Sequence, residues 1–403
     1  MKAMDLAAAL LASLVWHGVT EIASGRGERG PWQMNESRYD FVDDPTVAID
    51  PRGGIAVAWV DQGRKDVLFQ RLDSNGKKIG EPANVSRSPK IFSWLPRIAI
   101  DVQDRVFVLW QEIIFSGGSH GGDILFARSE DAGRTFSEPQ NLSNSVAGDG
   151  KGRIDKDRWH NGSLDLVVSG NTLYAAWTEY EGGLWVRRSA DAGRSFSEKI
   201  LVKDEKPARA PALAVQGNNV YLAWTVGDDP SADIRVARSI DGKLGPPVIV
   251  ERSKAYSDAP KLAVDARGTL HLVYAEGRRI VYSRSSDGAR SFEPPRAISA
   301  ENAGFAALSV DAKGNLYVLW ERFGEHPFLA RGLGFAVSRD GGANFQSTGV
   351  PDSAGAGWNG SSQGLLMRKL AVSGDGGIAV VNSSFKDTER SRVWLVRGRL
   401  GVP

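Results

Sequence analysis

The feature that most constrains this chain is one apolar segment that recurs seven times. It reads PTVAID at 45–50 and returns as PRIAID (96–101), LDLVVS (164–169), PALAVQ (211–216), PKLAVD (260–265), AALSVD (306–311) and RKLAVS (368–373). Successive copies begin 46 to 68 residues apart. Recurrence of one unit at such a period predicts a repeat architecture, in which each unit is one supersecondary module.

Each copy opens a longer unit with the pattern of four short strands. A turn containing Gly or Asn leads to a second apolar segment, such as VFVLW at 106–110, and then to a third of alternating character, such as DILFARS at 123–129. A further turn leads to a short fourth segment. The second segments end in the anchor residues Trp59, Trp110, Trp177, Trp224, Tyr274, Trp320 and, breaking the pattern, Asn382.

These units predict an all-β fold, a β-propeller of four-stranded antiparallel blades. Strands that are apolar nearly throughout fit a blade whose two faces both pack on neighbouring blades, and the recurrent aromatic anchors fit inter-blade packing. We expect seven blades, or six if one copy is absorbed elsewhere. The seventh copy lacks a fourth strand, so we expect an N-terminal strand to close the ring, supplied by residues 32–42 (WQMNESRYDFV).

The turn between the third and fourth segments has its own motif. It reads SEDAGRTF (129–136), SADAGRSF (189–196), SSDGARSF (285–292) and SRDGGANF (338–345), with degraded copies at 72–79 and 239–242. An Asp in such a turn accepts hydrogen bonds from backbone N–H groups, and a Gly there suits a positive φ. Because its residues vary this much between copies, the motif indicates a structural role in the fold, and we do not expect its aspartates to be catalytic.

This motif is identified as the Asp box, and the repeats resemble the sialidase-like Asp-box (BNR-repeat) β-propellers over about residues 40 to 400. The resemblance implies a propeller, and its functions range over sialidases, other glycosidases, lyases, sortilin-like receptors and photosystem assembly factors. Sialidases hold the substrate carboxylate with three arginines and use a Tyr–Glu nucleophile pair with an Asp acid/base. The nearest match to their first arginine is Arg97 in PRIA, and Tyr256 and Asp258 precede the fifth inner segment.

Long insertions collect on one side of the predicted propeller. They follow second segments or join blades, at 111–123, 143–163, 321–332 and 347–364, whereas the Asp-box side has tight turns. Long irregular loops gathered on one face favour a binding site there.

Candidate site residues for that face fall into two groups. Two positions beyond the anchors stand Asp61, Glu112, Glu179 and Glu276, with Val226, Arg322 and Ser384 completing the set. We interpret the carboxylates as general acid and nucleophile or base for glycoside cleavage around a central funnel, or as ordinary solvated strand ends. The candidates for binding sugar carboxylates, sulfates or pyranose faces are Arg97, Arg153, Arg158, Trp159, His160, Arg209, Arg322 and Trp358. The tryptophans equally fit plugs that close their own loops.

Composition narrows the class of partner. The net charge of +2 in 403 residues, without a long basic run, does not favour nucleic acid, and the absence of cysteine excludes disulfides and thiolate metal sites. We expect no metal and no cofactor, since Asp228 and the Asp43–Asp44 pair fit loop carboxylates. Residues 1–25 resemble a secretory signal peptide, which leaves one domain at 26–403 that is periplasmic or secreted, or cytoplasmic if the segment is retained. No segment is long enough to span a membrane.

The sequence therefore predicts an exported propeller that recognises a glycan or small ligand in its central funnel, with or without glycosidase turnover of sialidase type. Two alternatives stay open. One is a non-catalytic scaffold that binds a protein partner. The other is a polysaccharide lyase, with His160 or His326 beside a Tyr or Lys base.

Overall fold

The computed structural model describes residues 14–114, 122–145, 151–155, 158–161, 163–179, 182–202, 207–227, 231–240, 243–252, 255–325, 330–351, 367–386 and 388–401. It is a seven-bladed β-propeller of four-stranded antiparallel blades, which confirms the predicted fold class and the larger of the two expected blade numbers. None of the described segments forms a helix of the length and hydrophobicity that a bilayer crossing needs.

The strands follow the chain in blade order. Four of them precede the first blade: β1 (Leu14–Trp16), β2 (Thr20–Gly25), β3 (Glu28–Arg29) and β4 (Tyr39–Asp40). Blade 1 contains β5 (Val42–Ile49), β6 (Ile55–Asp61), β7 (Asp66–Leu72) and β8 (Lys78–Asn84). Blade 2 contains β9 (Ser93–Ile100), β10 (Val106–Glu112), β11 (Asp123–Ser129) and β12 (Gln140–Asn141).

A hairpin of β13 (Lys151–Asp155) and β14 (Arg158–Asn161) precedes blade 3, which contains β15 (Leu164–Ser169), β16 (Thr172–Thr178), β17 (Leu184–Ser189) and β18 (Ile200–Val202). Blade 4 contains β19 (Ala208–Gln216), β20 (Asn219–Val226), β21 (Asp233–Ile240), β22 (Lys243–Leu244) and β23 (Val248–Ile249).

Blade 5 contains β24 (Ser257–Val264), β25 (Leu270–Glu276), β26 (Arg279–Ser285) and β27 (Arg296–Ala297). Blade 6 contains β28 (Ala303–Val310), β29 (Leu316–Phe323), β30 (Ala330–Ser338) and β31 (Gln346–Gly349). Blade 7 contains β32 (Leu370–Val372), β33 (Gly377–Lys386) and β34 (Arg390–Leu400).

Every blade pairs its strands in sequence order, so the first strand of each lines a central channel. The last residue of a second strand pairs with the first residue of the inner strand, as Glu112 does with Ser93. We call this end of the channel the insertion face, because the second-to-third loops and the blade-to-blade connections lie there. The opposite end, with the tight turns, is the turn face.

The aromatic anchors hold neighbouring blades together, as predicted. Trp110 is buried in one apolar cluster with Val60 and Phe69 of blade 1, and Trp224 is buried with Leu184 of blade 3. The other anchors lie in equivalent clusters with the preceding blade. In blade 7 the buried Asn382 pairs directly with Trp394 on β34, and Trp394 joins the cluster shared with blade 6. In this blade the aromatic anchor is therefore Trp394 on the third strand, next to the second-strand position that Asn382 occupies.

The ring is closed by an N-terminal strand, as predicted, but by a different segment. Both β1 and β2 pair with β34, from Leu14 opposite Leu400 to Gly25 opposite Ser391. The prediction that residues 32–42 supply this strand was wrong, because most of that segment lies over the insertion face and ends in β4. Residues 20–25 thus form part of a blade, so cleavage after Gly25 would remove the closing strand.

The four Ser-Asp turns (129–136, 189–196, 285–292 and 338–345) share one hydrogen-bond pattern. In the second of them, Ser189 Oγ donates to Asp191 (2.8 Å) and accepts from the Gly193 N–H (2.8 Å). The carboxylate of Asp191 also accepts from the Ser195 N–H (2.9 Å) and hydroxyl (2.6 Å). These donors hold the pKa of Asp191 below its usual range, which fits a permanently ionised turn cap.

The same turns dock each blade onto the one before it. Phe136, Phe196 and Phe345 pack edge-to-face on Phe69, Phe126 and Tyr282 of the preceding blades, with centroids 4.9 to 5.4 Å apart. The turn glycines Gly133, Gly193 and Gly342 have positive φ and lie directly against the same three rings. Three of the four copies thus pack against an aromatic ring of the preceding blade, which gives the motif a structural role in the ring of blades.

Gly193→Ala should therefore destabilise the fold more than another substitution of a left-handed glycine. The new Cβ would lie 2.6 Å from Phe126 Cζ at a φ of +77°, so we expect a loss of about 2–4 kcal/mol in the free energy of unfolding. The matched control is Gly217→Ala, whose φ of +57° is similar but whose Cβ meets nothing within 4 Å, with an expected loss of about 1 kcal/mol. Equal losses in urea denaturation would contradict the clamp.

Candidate functional site

The inner strands of five blades carry a bulge near the insertion face. Register shifts occur in β5, β9, β19, β24 and β28, and each bulge contains a non-glycine residue with φ between 50° and 59°: Asp44, Leu95, Ala210, Ala259 and Phe305. A bulge redirects the side chains beside it. Pro follows the strained residue in four of the five. The repeated Pro of the inner segments thus marked a backbone kink at the mouth of the channel.

Charged side chains line the channel just inside that mouth. Three cations, Arg97, Lys261 and Arg368, share the wall with one carboxylate, Asp165, around a cavity of about 340 Å³. Deeper towards the turn face, the wall is mostly aliphatic, for example Val168, Val215 and Val264. The charge is therefore confined to the insertion-face half of the channel.

Asp165 is already well satisfied by its neighbours. Its carboxylate accepts from Arg368 Nη2 (2.7 Å) and from the Leu213 N–H (2.9 Å), and Arg97 Nε lies 4.0 Å away. Arg97 is 1% exposed and also donates to the Met367 sulfur (2.9 Å). Burial lowers its pKa to about 10, so it keeps its charge at neutral pH.

Lys261 is the cation without a local partner. In the part of the chain that the structure describes, its ammonium makes no hydrogen bond, although it feels the charges of Asp165, Arg97 and Arg368. Burial lowers the pKa of Lys261 to about 8, with Asp165 opposing and the two arginines adding to that shift. The ammonium is thus still mainly protonated at pH 7, and the channel half carries an excess of positive charge.

A second group of buried charges lies beside the mouth, between blades 6, 7 and 1. Lys369 donates to Glu321 (2.5 Å), and Asp43 accepts from the Ser383 hydroxyl. Asp43 and Asp44 were expected in a loop, and this was wrong: they belong to β5 and are 1% and 0% exposed. The bulge at Asp44 turns this pair inward, and within the described parts of the chain the one hydrogen bond to the Asp44 carboxylate comes from the Leu95 N–H (3.2 Å).

Tyr256, Asp258 and Arg209 form a third group, at the mouth between blades 4 and 5. The Tyr256 hydroxyl donates to Asp258 (2.8 Å) and accepts from Arg209 Nη2 (3.0 Å), while Arg209 Nε lies 3.3 Å from Asp258. Burial and the charge of Asp258 raise the pKa of Tyr256, so the phenol stays protonated at neutral pH. Arg209 is completely buried and positions the other two residues.

The carboxylates at the ends of the second strands lie one strand out from the channel wall. Glu112 is 3% exposed and accepts from Ser88 Oγ (2.6 Å) and Trp110 Nε1 (2.8 Å), and burial raises its pKa. Glu179 accepts from Trp185 Nε1 (3.3 Å), and Glu276 from Ser257 Oγ (3.5 Å). The structure thus places them in separate blades, each beside local donors, and does not bring them together around the channel.

The remaining candidates have other positions. Arg322 is exposed at the end of β29, and Asp61 accepts from the Arg64 N–H (3.1 Å). The backbone of Arg153, Arg158, Trp159 and His160 belongs to the β13–β14 hairpin, which lies beside β19. Trp358, His326 and Asp228 lie outside the described residues.

One exposed aromatic on the insertion face escaped the sequence reasoning. Trp32 is 50% exposed and stacks on Tyr39, with centroids 6.2 Å apart, and it also contacts Phe92 and Trp94. Asn35 fixes this segment, because it donates to the Ile113 carbonyl (3.0 Å) and accepts from the Phe92 N–H (2.9 Å). The aromatic residues from Trp32 to Phe41 were a sequence signal for this cluster, although we predicted a closing strand there.

The carboxylates of the turn face are committed to the backbone. Besides the Ser-Asp turns, Asp50, Asp101, Asp265 and Asp311 each accept two backbone N–H bonds in first-to-second turns. No group of three or more His, Asp or Glu side chains suited to a metal ion occurs among the described residues. The insertion face is therefore the better candidate for chemistry.

Comparison with known proteins supports the fold. No family model matches the sequence, and no curated protein matches it. Among solved structures, the chain resembles a PL25 ulvan lyase (TM-score 0.55, 14% identity, 94% of this chain and 95% of that one). It also resembles YCF48 bound to a D1 peptide (TM-score 0.50, 11% identity, 90% and 93%).

A third similar structure is the sialidase of Trypanosoma rangeli (TM-score 0.51, 15% identity). The match covers 81% of this chain but 56% of the sialidase, so the shared part is the propeller. Sialidases and polysaccharide lyases thus use this kind of propeller, as the sequence resemblance implied. At such identities the comparison shows the fold alone.

The buried carboxyl of Asp44 should make stability depend on pH. Burial and the neighbouring Asp43 raise its pKa to about 8, opposed by the Leu95 N–H, Lys369 and Arg97. Because the folded pKa lies above the unfolded one, the favourable contribution is complete below pH 4 and is lost as the pH rises towards 8. We expect the free energy of unfolding to fall by up to about 1.4 kcal/mol per pH unit in that window.

Asp44→Asn should flatten that part of the profile, measured by urea unfolding at pH 5, 6, 7 and 8. Asp43→Asn serves as the comparison, since removing this neighbour should move the decline to lower pH. Parallel profiles for Asp44→Asn and the wild type would show that Asp44 does not titrate in this range.

Proposed function

We propose that the protein binds an acidic glycan at the insertion-face mouth of its channel, with the acid group held among Lys261, Arg97 and Arg368. The observation that carries this proposal is the ammonium of Lys261, which lacks a hydrogen-bond partner within the described residues although two further cations lie near it. A partly buried cation without a hydrogen-bond partner is costly in a narrow channel, and an anion at this point would offset that cost.

A carboxylate or sulfate suits the three cations by chemistry and by size. Arginine guanidinium groups bind both anions through paired N–H donors, and lysine adds a point charge. A cavity of about 340 Å³ lies at the small end of the range for small-molecule sites. It therefore fits a single sugar residue or its acid group better than a long chain.

The surroundings of the mouth favour a sugar over a simple anion. Trp32, half exposed on the same face, offers an aromatic surface of the kind that packs on the apolar face of a pyranose ring. Polar groups around the mouth, such as the Tyr256 hydroxyl, offer hydrogen bonds to sugar hydroxyls. A solved propeller of similar fold, an ulvan lyase, is bound to a glucuronate and sulfated rhamnose polymer.

Lys261→Met should weaken the binding of acidic sugars. In a glycan array and in calorimetry at pH 7, we expect the wild type to bind uronate or sialic acid and to ignore the neutral analogues. The variant should bind at least about tenfold more weakly, since a charged hydrogen bond contributes about 1.5–3 kcal/mol. Because the pKa of Lys261 lies at about 8, wild-type affinity should also decline above that pH.

Two controls separate charge from damage to the fold. Lys261→Arg keeps the cation and should retain binding, and Lys313→Met removes an exposed lysine from the turn face and should change nothing. Equal affinity of wild type and Lys261→Met would overturn the proposal. Retention of a protein partner by a protein that binds no glycan would favour the scaffold alternative instead.

A second candidate function, glycoside hydrolysis, is favoured by the Tyr256–Asp258 contact. A hydroxyl that donates to a carboxylate at 2.8 Å has the arrangement of a nucleophile and its base. The raised pKa of Tyr256 argues against a phenolate in the free protein, so Asp258 would have to accept the proton as substrate binds.

Tyr256→Phe should abolish any turnover of a fluorogenic sialoside, because it removes the attacking oxygen, while affinity for the acidic sugar falls by no more than a few-fold. Tyr174→Phe, on the outer side of blade 3, is the matched control. Wild-type protein that binds the sugar without cleaving the sialoside, or a Tyr256→Phe variant with full turnover, would reject hydrolysis and leave the binding proposal standing.

A further inference from the structure

A cavity at the interface of blades 3 and 4 interrupts the regular packing of the ring. It measures about 550 Å³ and is lined mainly by apolar side chains, among them Val186, Leu201, Leu222, Trp224 and Leu244. It opens on the outer side of the propeller, between β17, β18 and β22, and shares no charged residue with the channel site.

The repeat explains why the cavity exists. At the interfaces of blades 1 and 2, 2 and 3, and 5 and 6, a turn Phe fills this position by packing on an aromatic of the preceding third strand. Trp16 packs on Phe335 in the same way between blades 6 and 7. Blade 3 has Val186 at the position of Phe126, and the shortened turn of blade 4 contains no Phe. Both rings are therefore missing between blades 3 and 4.

The charged side chains of the cavity wall are all positive. Arg188 and Lys243 both line it, and none of the described lining residues carries a carboxylate. Arg188 contacts the Tyr174 hydroxyl (3.3 Å), and within the described residues Lys243 makes no ion pair. Both cations lie near the turn-face ends of their strands, β17 and β22, whereas Leu222 and Trp224 on β20 form the inner apolar wall.

We propose that this cavity binds an amphiphile with an apolar chain and an anionic head, such as a medium-chain fatty acid. The chain occupies the space that the two aromatic rings fill elsewhere, and the carboxylate lies between Arg188 and Lys243. The volume falls within the usual range of small-molecule sites, and the mainly apolar wall with a few polar groups at one end is their usual composition. This site is independent of the glycan proposal.

The test uses dodecanoate, at concentrations below micelle formation, in calorimetric titration of the full-length protein. We expect one molecule to bind per chain. Val186→Phe restores the ring found in blades 1 and 2, so it should weaken binding at least tenfold and leave the protein at least as heat-stable as the wild type. An unchanged melting temperature with lost binding would still place the ligand in this cavity.

A separate double variant tests whether the carboxylate head group lies between Arg188 and Lys243. Arg188→Gln combined with Lys243→Gln should remove the preference for dodecanoate over dodecanol while keeping the affinity for the alcohol. Because both residues are exposed, folding is not at risk. Failure of the wild type to bind dodecanoate, or equal binding by Val186→Phe, would overturn the proposal.

Discussion

The structure depends on the packing of each blade against the next through buried aromatic rings. Each anchor ring lies in an apolar cluster shared with the preceding blade, and three of the Ser-Asp turns add a Phe that packs on an aromatic of that blade. A propeller tolerates these contacts only at a fixed angle between blades, so they also fix how seven inner strands surround the channel. In blade 7, Asn382 replaces the anchor and Trp394 on the next strand supplies the ring, whereas two rings are missing beside the cavity between blades 3 and 4.

This radial arrangement separates the two faces by chemistry. On the turn face, aspartates accept backbone N–H bonds and act as caps, which leaves them little capacity for a ligand. On the insertion face, bulges in the inner strands bring charged groups together from blades that are distant in sequence, as with Arg97, Asp165 and Arg368. Five of the fifteen described non-glycine residues with positive φ lie in the bulges at the mouth, and backbone strain of this kind often accompanies a functional site.

The repeat made the fold predictable, because every blade has the same pattern of apolar segments and turns. The aromatic anchors and the turn motif were readable for the same reason. The site was much less so. Lys261, Asp165, Arg368 and Lys369 stand inside the inner segments, where the repeat reads as apolar, and only the bulges and the closed ring bring them together. Glu112, by contrast, stood out as a charge at a strand end, but its register places it beside Trp110 and away from the channel.

The position of the closing strand could not be predicted from the sequence either. The segment that resembles a signal peptide, residues 1–25, includes β1 and β2, whose pairing with β34 is a property of the folded ring that no local sequence pattern contains.

A crystal structure of the protein soaked with the acidic sugar that binds it most tightly tests the central claim most directly. We predict electron density for the sugar's acid group within about 3 Å of Lys261 Nζ, beside Arg97 and Arg368. Sugar bound on the turn face, or an empty channel at saturating sugar concentration, would contradict it.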